Sequence, residues 1–138
     1  MNILLVDDDW LSLLSLGRFL HSEGHRVDAH QGPASALAAC EKGTYDLLVS
    51  DFRLPEMDGL LLIKAVKGKQ PQIKTILYSG QFSPATLQKA HAQGVDKVLG
   101  KPIYIQDLLA AIQSLALPLS GAGPAIFTIS GQGYEVNP

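Results

Sequence analysis

An alternation constrains this chain more than any other feature of its sequence. Short apolar runs at Ile3 to Val6, Arg26 to Ala29, Leu47 to Ser50, Thr75 to Tyr78 and Lys97 to Leu99 are separated by longer amphipathic stretches, several of which end in glycine. A continuous apolar run reads as a strand buried on both faces, which a parallel sheet requires. The stretches between read as helices. Leu13, Leu16 and Leu20 share one helical face, and so do Ile105, Leu108, Leu109 and Ile112. Gly32-Pro33 and Ser83-Pro84 each place a cap residue before a proline suited to the first helical position. Gly24, Gly43, Gly68 and Gly94 stand where helices should stop. Five strands alternating with five helices predict a doubly wound α/β sandwich.

The pattern changes near Leu117. Pro118, Gly121, Gly123 and Pro124 predict a linker, so residues 1–117 are read as one domain and 118–138 as linker and tail. Within the tail, Ala125 to Ser130 and Tyr134 to Val136 look strand-like around Gly131-Gln132-Gly133, a hairpin pattern. The chain has 138 residues, is 46% hydrophobic and 17% charged, and so can bury a core. Its net charge of −2 gives no electrostatic reason to expect DNA or an anionic membrane as partner. No apolar run approaches the roughly 18 residues of a membrane span. A strand-like segment begins almost at Met1, so no signal peptide is expected. The single cysteine, Cys40, excludes an internal disulfide and suits a cytoplasmic location.

Doubly wound sheets bind ligands beyond the carboxyl ends of their strands. Asp7, Asp8 and Asp9 follow the first strand, Asp51 the third, Ser79 the fourth and Lys101 the fifth. Carboxylates gathered at one edge repel, and a hard divalent cation relieves the repulsion. Magnesium suits such a site, because it takes one or two carboxylates and is completed by water and phosphate oxygens. A carboxylate beside magnesium can attack a phosphoryl donor. The charge spread over the transferring group then needs fixed donors, which Lys101 and Ser79 supply, while Gly80 leaves room. Pro102 after Lys101 permits a cis peptide and a sharp turn.

The segments "ILLVDDD", "LLVSDFRLPEMDG", "ILYSG" and "LGKP" resemble, in order and spacing, the receiver domains of two-component signalling. The resemblance spans Met1 to about Leu117. It implies a flavodoxin-like sandwich with a parallel five-stranded sheet of order 2-1-3-4-5. It implies Asp51 as phosphoacceptor, Asp8 as a direct magnesium ligand, Asp7 as a ligand through water, and the Arg53 carbonyl as the remaining protein ligand. Ser79 and Lys101 would hold the phosphoryl group. The donor would be a sensor histidine kinase or phosphotransfer protein. The output would pass to an unidentified downstream protein, or to a second copy of the chain, through the surface around the fourth helix, fifth strand and fifth helix. The domain would assist its own phosphorylation and dephosphorylation without being a turnover enzyme.

Two departures stand out. The family carries an aromatic switch residue three positions before the lysine, where this chain has Val98; a phosphate-independent protein-binding module is therefore the alternative reading. The tail "IFTISGQGYEVNP" resembles the wing hairpin of a winged-helix output domain through Thr128, Gly131, Gly133 and Tyr134, with no room before it for a recognition helix. Arg53 and Gln81 occupy positions that in the family tune phosphoryl loss. A phosphatase is disfavoured by the lack of an Asp-x-Asp pair, and a nucleotide-binding role by the lack of a glycine-rich loop. Simpler roles suffice elsewhere. Asp9 reads as a helix cap, Asp58-Gly59 as a turn before a helix, and Cys40 and Trp10 as packing residues. His21, His25, His30 and His91 show no metal-ligand pattern.

Overall fold

The computed structural model describes residues 1–115, 126–130 and 134–136. Elements run β1 (Asn2–Val6), α1 (Trp10–Ser22), β2 (Arg26–His30), α2 (Pro33–Lys42), β3 (Leu47–Asp51), α3 (Gly59–Lys69), β4 (Lys74–Ser79), α4 (Pro84–Ala92), β5 (Lys97–Gly100), α5 (Ile105–Ser114), β6 (Phe127–Ser130) and β7 (Tyr134–Val136). The first five strands are parallel and lie in the order β5-β4-β3-β1-β2. This is the expected 2-1-3-4-5 arrangement read from the other edge. Among the described residues the sheet nevertheless has seven strands, not five. Strand β6 pairs parallel to β2 (Val27 with Phe127, Ala29 with Ile129), and β7 pairs antiparallel to β6. The linker residues Pro118, Gly121, Gly123 and Pro124 and the Gly131-Gln132-Gly133 turn lie outside the described residues.

Alternation of side chains along the strands divides the core into two layers. Ile3, Leu5, Val27, Ala29, Val49, Ile76 and Tyr78 face α1 and α5, joining Leu13, Leu20, Leu108 and Ile112. Leu4, Val6, Leu48 and Leu77 face the opposite layer with Ala36, Cys40, Leu62, Ile63, Val66 and Ala90. Phe127 and Ile129 are fully buried in the α1 layer. The Phe127 ring fills the space left by Gly17 of α1, where an added Cβ would stand only 2.1 Å from its Cζ.

Helix starts follow the sequence signals. Asp9 caps α1 by accepting from Leu11 N–H, Asp58 caps α3 from Leu61 N–H, and Ser83 caps α4 from Thr86 N–H. Gly24 and Gly94 adopt φ of +91° and +77°, a conformation that favours glycine. Gly68 does not end its helix, since α3 continues to Lys69. Ile105 is not on the buried face of α5; at 57% exposure it leaves Leu108 and Ile112 to make the contact.

Candidate functional site

Strand ends build the site. Each strand proves a residue or so longer than its apolar run, so Asp51 and Ser79 are the last residues of β3 and β4 and are nearly fully buried. Asp7 and Asp8 follow β1 directly. One oxygen from each of Asp7, Asp8 and Asp51 can be chosen so that all lie within 4.8 Å of one another; Asp7 and Asp51 are buried, Asp8 exposed. An all-carboxylate set open on one side fits a hard divalent cation such as magnesium and offers no soft ligand.

Lys101 closes the site from the β5–α5 side. Its Nζ donates to Asp51 Oδ2 at 2.8 Å and lies 3.9 Å from Asp7 Oδ2. Its backbone N–H donates to the Ser79 carbonyl at 2.9 Å, and the Lys101–Pro102 peptide is cis. Partial burial alone would lower the lysine's pKa, but the hydrogen bond to Asp51 and the charges of Asp7, Asp51 and Asp8 outweigh it and hold the ammonium above its ordinary value.

Asp7 is the strained member. Burial pushes its carboxyl up to about 6, and the Asp51 charge adds to the rise; hydrogen bonds from Tyr78 and the Asp9 N–H, with Lys101 nearby, oppose it. Both oxygens are engaged within the protein, Oδ1 by Asp9 N–H at 2.9 Å and Oδ2 by the Tyr78 hydroxyl at 2.6 Å.

The loop after β3 is shaped by a close approach. An added Cβ on Gly59 would fall 2.5 Å from the Asp51 carbonyl oxygen, so only glycine lets α3 start against the end of β3. The backbone N–H of Arg53 donates to Asp51 Oδ1 at 3.3 Å, which sets residue 53 beside the carboxylate. Ser79 is drawn to the same edge, but its hydroxyl donates to the Gln81 carbonyl at 3.0 Å and accepts from Gln81 N–H. Among the described residues, nothing stands within 4 Å of where a Cβ on Gly80 would lie. Val98 pairs with Leu77 and packs against the layer of α2, α3 and α4.

Asp7, Asp8, Asp51 and Lys101 are therefore brought together, with Arg53 N–H and Ser79 at the margin. Tyr78 was missed. It sits inside an apolar run and reads as core, although a phenol next to the expected serine carries a polar tip that burial obliges to find a partner. A second polar cluster was also missed. His30 lies 3.0 Å from Ser35 Oγ and 3.2 Å from Asp28 Oδ1, and Asp28 also accepts from the Tyr45 hydroxyl. Burial alone would raise the Asp28 carboxyl, but His30 and Tyr45 outweigh it and hold the group below its ordinary range.

Comparison with known proteins agrees with this geometry. Residues 3–113 match a family model described as the response regulator receiver domain. The chain is 36% identical over 111 residues to the transcriptional regulatory protein GlrR of Escherichia coli K12, covering 80% of this chain and 25% of that protein. The chain spans about a quarter of the length of the first curated relatives it matches. A CheY-like response regulator receiver domain protein from Methanospirillum hungatei superimposes with a TM-score of 0.78 at 31% identity, covering 82% of this chain and 90% of the other. A response regulator protein from Burkholderia pseudomallei, solved with a phosphorylated aspartic acid, a calcium ion and citrate, superimposes with a TM-score of 0.76 at 29% identity, covering 82% and 66%.

Proposed function

The chain belongs to the response regulator receiver domain family, and on that premise we propose that Asp51 accepts a phosphoryl group in a magnesium-dependent step and that the acyl phosphate switches a surface of the domain. The observation that carries this reading is the 2.8 Å contact between Lys101 and Asp51 beside Asp7 and Asp8. A buried carboxylate already paired with a cation and bordered by a hard-metal donor set has the charge partners that phosphoryl transfer needs.

A carboxylate oxygen of Asp51 forms the new O–P bond as the P–N bond of a phosphohistidine donor breaks. The electron pair of that bond leaves with the imidazole, which takes a proton from solvent. Lys101 exchanges its contact with Asp51 for one with the phosphoryl oxygens and offsets their charge. The Ser79 hydroxyl turns from the Gln81 carbonyl to donate to the same group. Asp8, Asp7 through water, Asp51 and the Arg53 carbonyl would hold magnesium, which supplies positive charge to the equatorial oxygens. Water attacking phosphorus later releases inorganic phosphate and restores the carboxylate.

Receiver domains are signalling modules rather than turnover enzymes; a sensor histidine kinase or phosphotransfer protein serves as the donor, and a small acyl phosphate can stand in for it. A downstream protein, or a second copy of the chain, reads the surface of α4, β5 and α5 in the cytoplasm. No helix among the described residues is long and apolar enough to cross a membrane. Residues 1–117 are read as the receiver unit proper, and the strands β6 and β7 that extend its sheet fall within the wing-like hairpin sequence.

Mass measurement after incubation with a small acyl phosphate and magnesium tests the assignment. The native chain should gain one phosphoryl group and Asp51→Ala none; label retained by the variant would remove Asp51 from its role. Val98 motivates a second reading, a binding module indifferent to phosphate. Equal affinity of a captured partner for the native chain with and without beryllofluoride would favour it.

A further inference from the structure

Tyr78 touches both charged sides of the site at once. It is the penultimate residue of β4, fully buried, and its side chain points into the layer of α1 and α5 rather than toward α4. Its hydroxyl donates to Asp7 Oδ2 at 2.6 Å. The face of its ring lies beneath the Lys101 ammonium, 5.3 Å from Nζ to the ring centroid. An aliphatic residue in this strand position would fill the same space and make neither contact.

Both contacts bear on the geometry of the reaction. Asp7 has two oxygens and one backbone donor, the Asp9 N–H on Oδ1. Without the phenol, Oδ2 would be left with Lys101 at 3.9 Å, beyond hydrogen-bond length, and the carboxylate could turn about its Cβ–Cγ bond. With it, both oxygens are pinned and their remaining lone pairs point in fixed directions. A partner that orients a ligating carboxylate commonly alters metal affinity by about 10–100-fold when removed. Lys101, in turn, is the end of a flexible stem that an aromatic face helps to confine.

Resting on the receiver reading above, we propose that Tyr78 is a positioning residue with two separable duties, its hydroxyl fixing Asp7 for magnesium and its ring holding Lys101 toward Asp51. Burial and the neighbouring Asp7 charge both raise the pKa of the Tyr78 phenol, in keeping with its role as hydrogen-bond donor to Asp7.

Two substitutions in the full chain separate the duties. Tyr78→Phe keeps the ring and removes the hydroxyl; Tyr78→Leu removes both. Magnesium affinity is measured by calorimetric titration, and the phosphorylation rate is measured at saturating magnesium with acetyl phosphate as donor. Tyr78→Phe should weaken magnesium binding on the order of 10-fold while leaving the saturated rate within about twofold of native. Tyr78→Leu should weaken magnesium binding by a like factor and also slow the saturated rate several-fold. Thermal unfolding of each variant gives the structural effect separately. Unchanged magnesium affinity in Tyr78→Phe would overturn the proposal. So would equal losses of affinity and saturated rate in both variants, which is the signature of general loosening. A native chain that binds no magnesium would overturn the receiver reading itself, and this proposal with it.

Discussion

Two regions of this molecule bury their side chains almost completely, and they do so on opposite terms. At the strand ends, Asp7 and Asp51 are removed from water against their own repulsion, and Asp7 holds its proton up to about pH 6 as a result. At the other edge, Phe127 lies against Gly17 with no charge to compensate and no polar group to satisfy. The first region costs stability, and the second supplies it. Burial by itself is therefore not a measure of what a residue does for the fold.

The contrast can be broken most sharply at the apolar seam. Phe127→Ala should cost about 3–5 kcal/mol, read from urea unfolding, because it removes a fully enclosed ring and leaves a cavity. A loss under about 1 kcal/mol would show that β6 is not part of the cooperative unit. The acidic pocket should give the opposite sign. An acid whose folded pKa is raised from 3.8 to about 6 stabilises the fold below pH 4 relative to higher pH. That contribution is lost as pH rises through 6, on the order of 2–3 kcal/mol in all. Asp7→Asn should remove this loss, so the stability difference between native and variant should grow from pH 4 to pH 7 in the variant's favour. Magnesium, by occupying the pocket, should shrink that difference for the native chain. Equal pH profiles for the two proteins would mean that Asp7 is not strained.

Smaller effects sharpen the same comparison. Gly17→Ala should destabilise by about 1–3 kcal/mol through overpacking against Phe127, and Gly17→Ala combined with Phe127→Leu should recover part of it. Additive losses in that double variant would separate the two positions. The smallest change is expected at Val98, half-buried on the outermost parallel strand, where Val98→Ala should cost about 1 kcal/mol or less by thermal unfolding.

What could be read from the sequence divides along the same line. The βα rhythm depends on local runs and on caps such as Asp9, Asp58 and Ser83, so the five parallel strands and most helix starts were legible. The acidic ends were legible because Asp7, Asp8, Asp51 and Lys101 each stand at or just past the end of an apolar run. Contacts made by one atom across the sheet were not. Tyr78 looks like any apolar strand residue until its hydroxyl is seen on Asp7, and Phe127 looks like half of an isolated hairpin until β2 is seen beside it. Local pattern misled at Gly68, where a glycine sits inside the last turn of α3 at modest cost, and at Ile105, whose place on the apolar stripe begins before α5 meets the core. The Ser79 hydroxyl is bound to its own loop, a detail that spacing alone does not carry.

The notch at Gly17 ties together two positions far apart in the chain. A methyl group at 17 and a phenyl ring at 127 cannot occupy the same space, so each residue is information about the other. Among chains that share this architecture, a glycine at the position of Gly17 should travel with an aromatic residue in an added strand beside β2. Chains without that strand should be free to carry a larger side chain there. The pair is thus a mark by which an extended sheet can be recognised from amino-acid sequence alone.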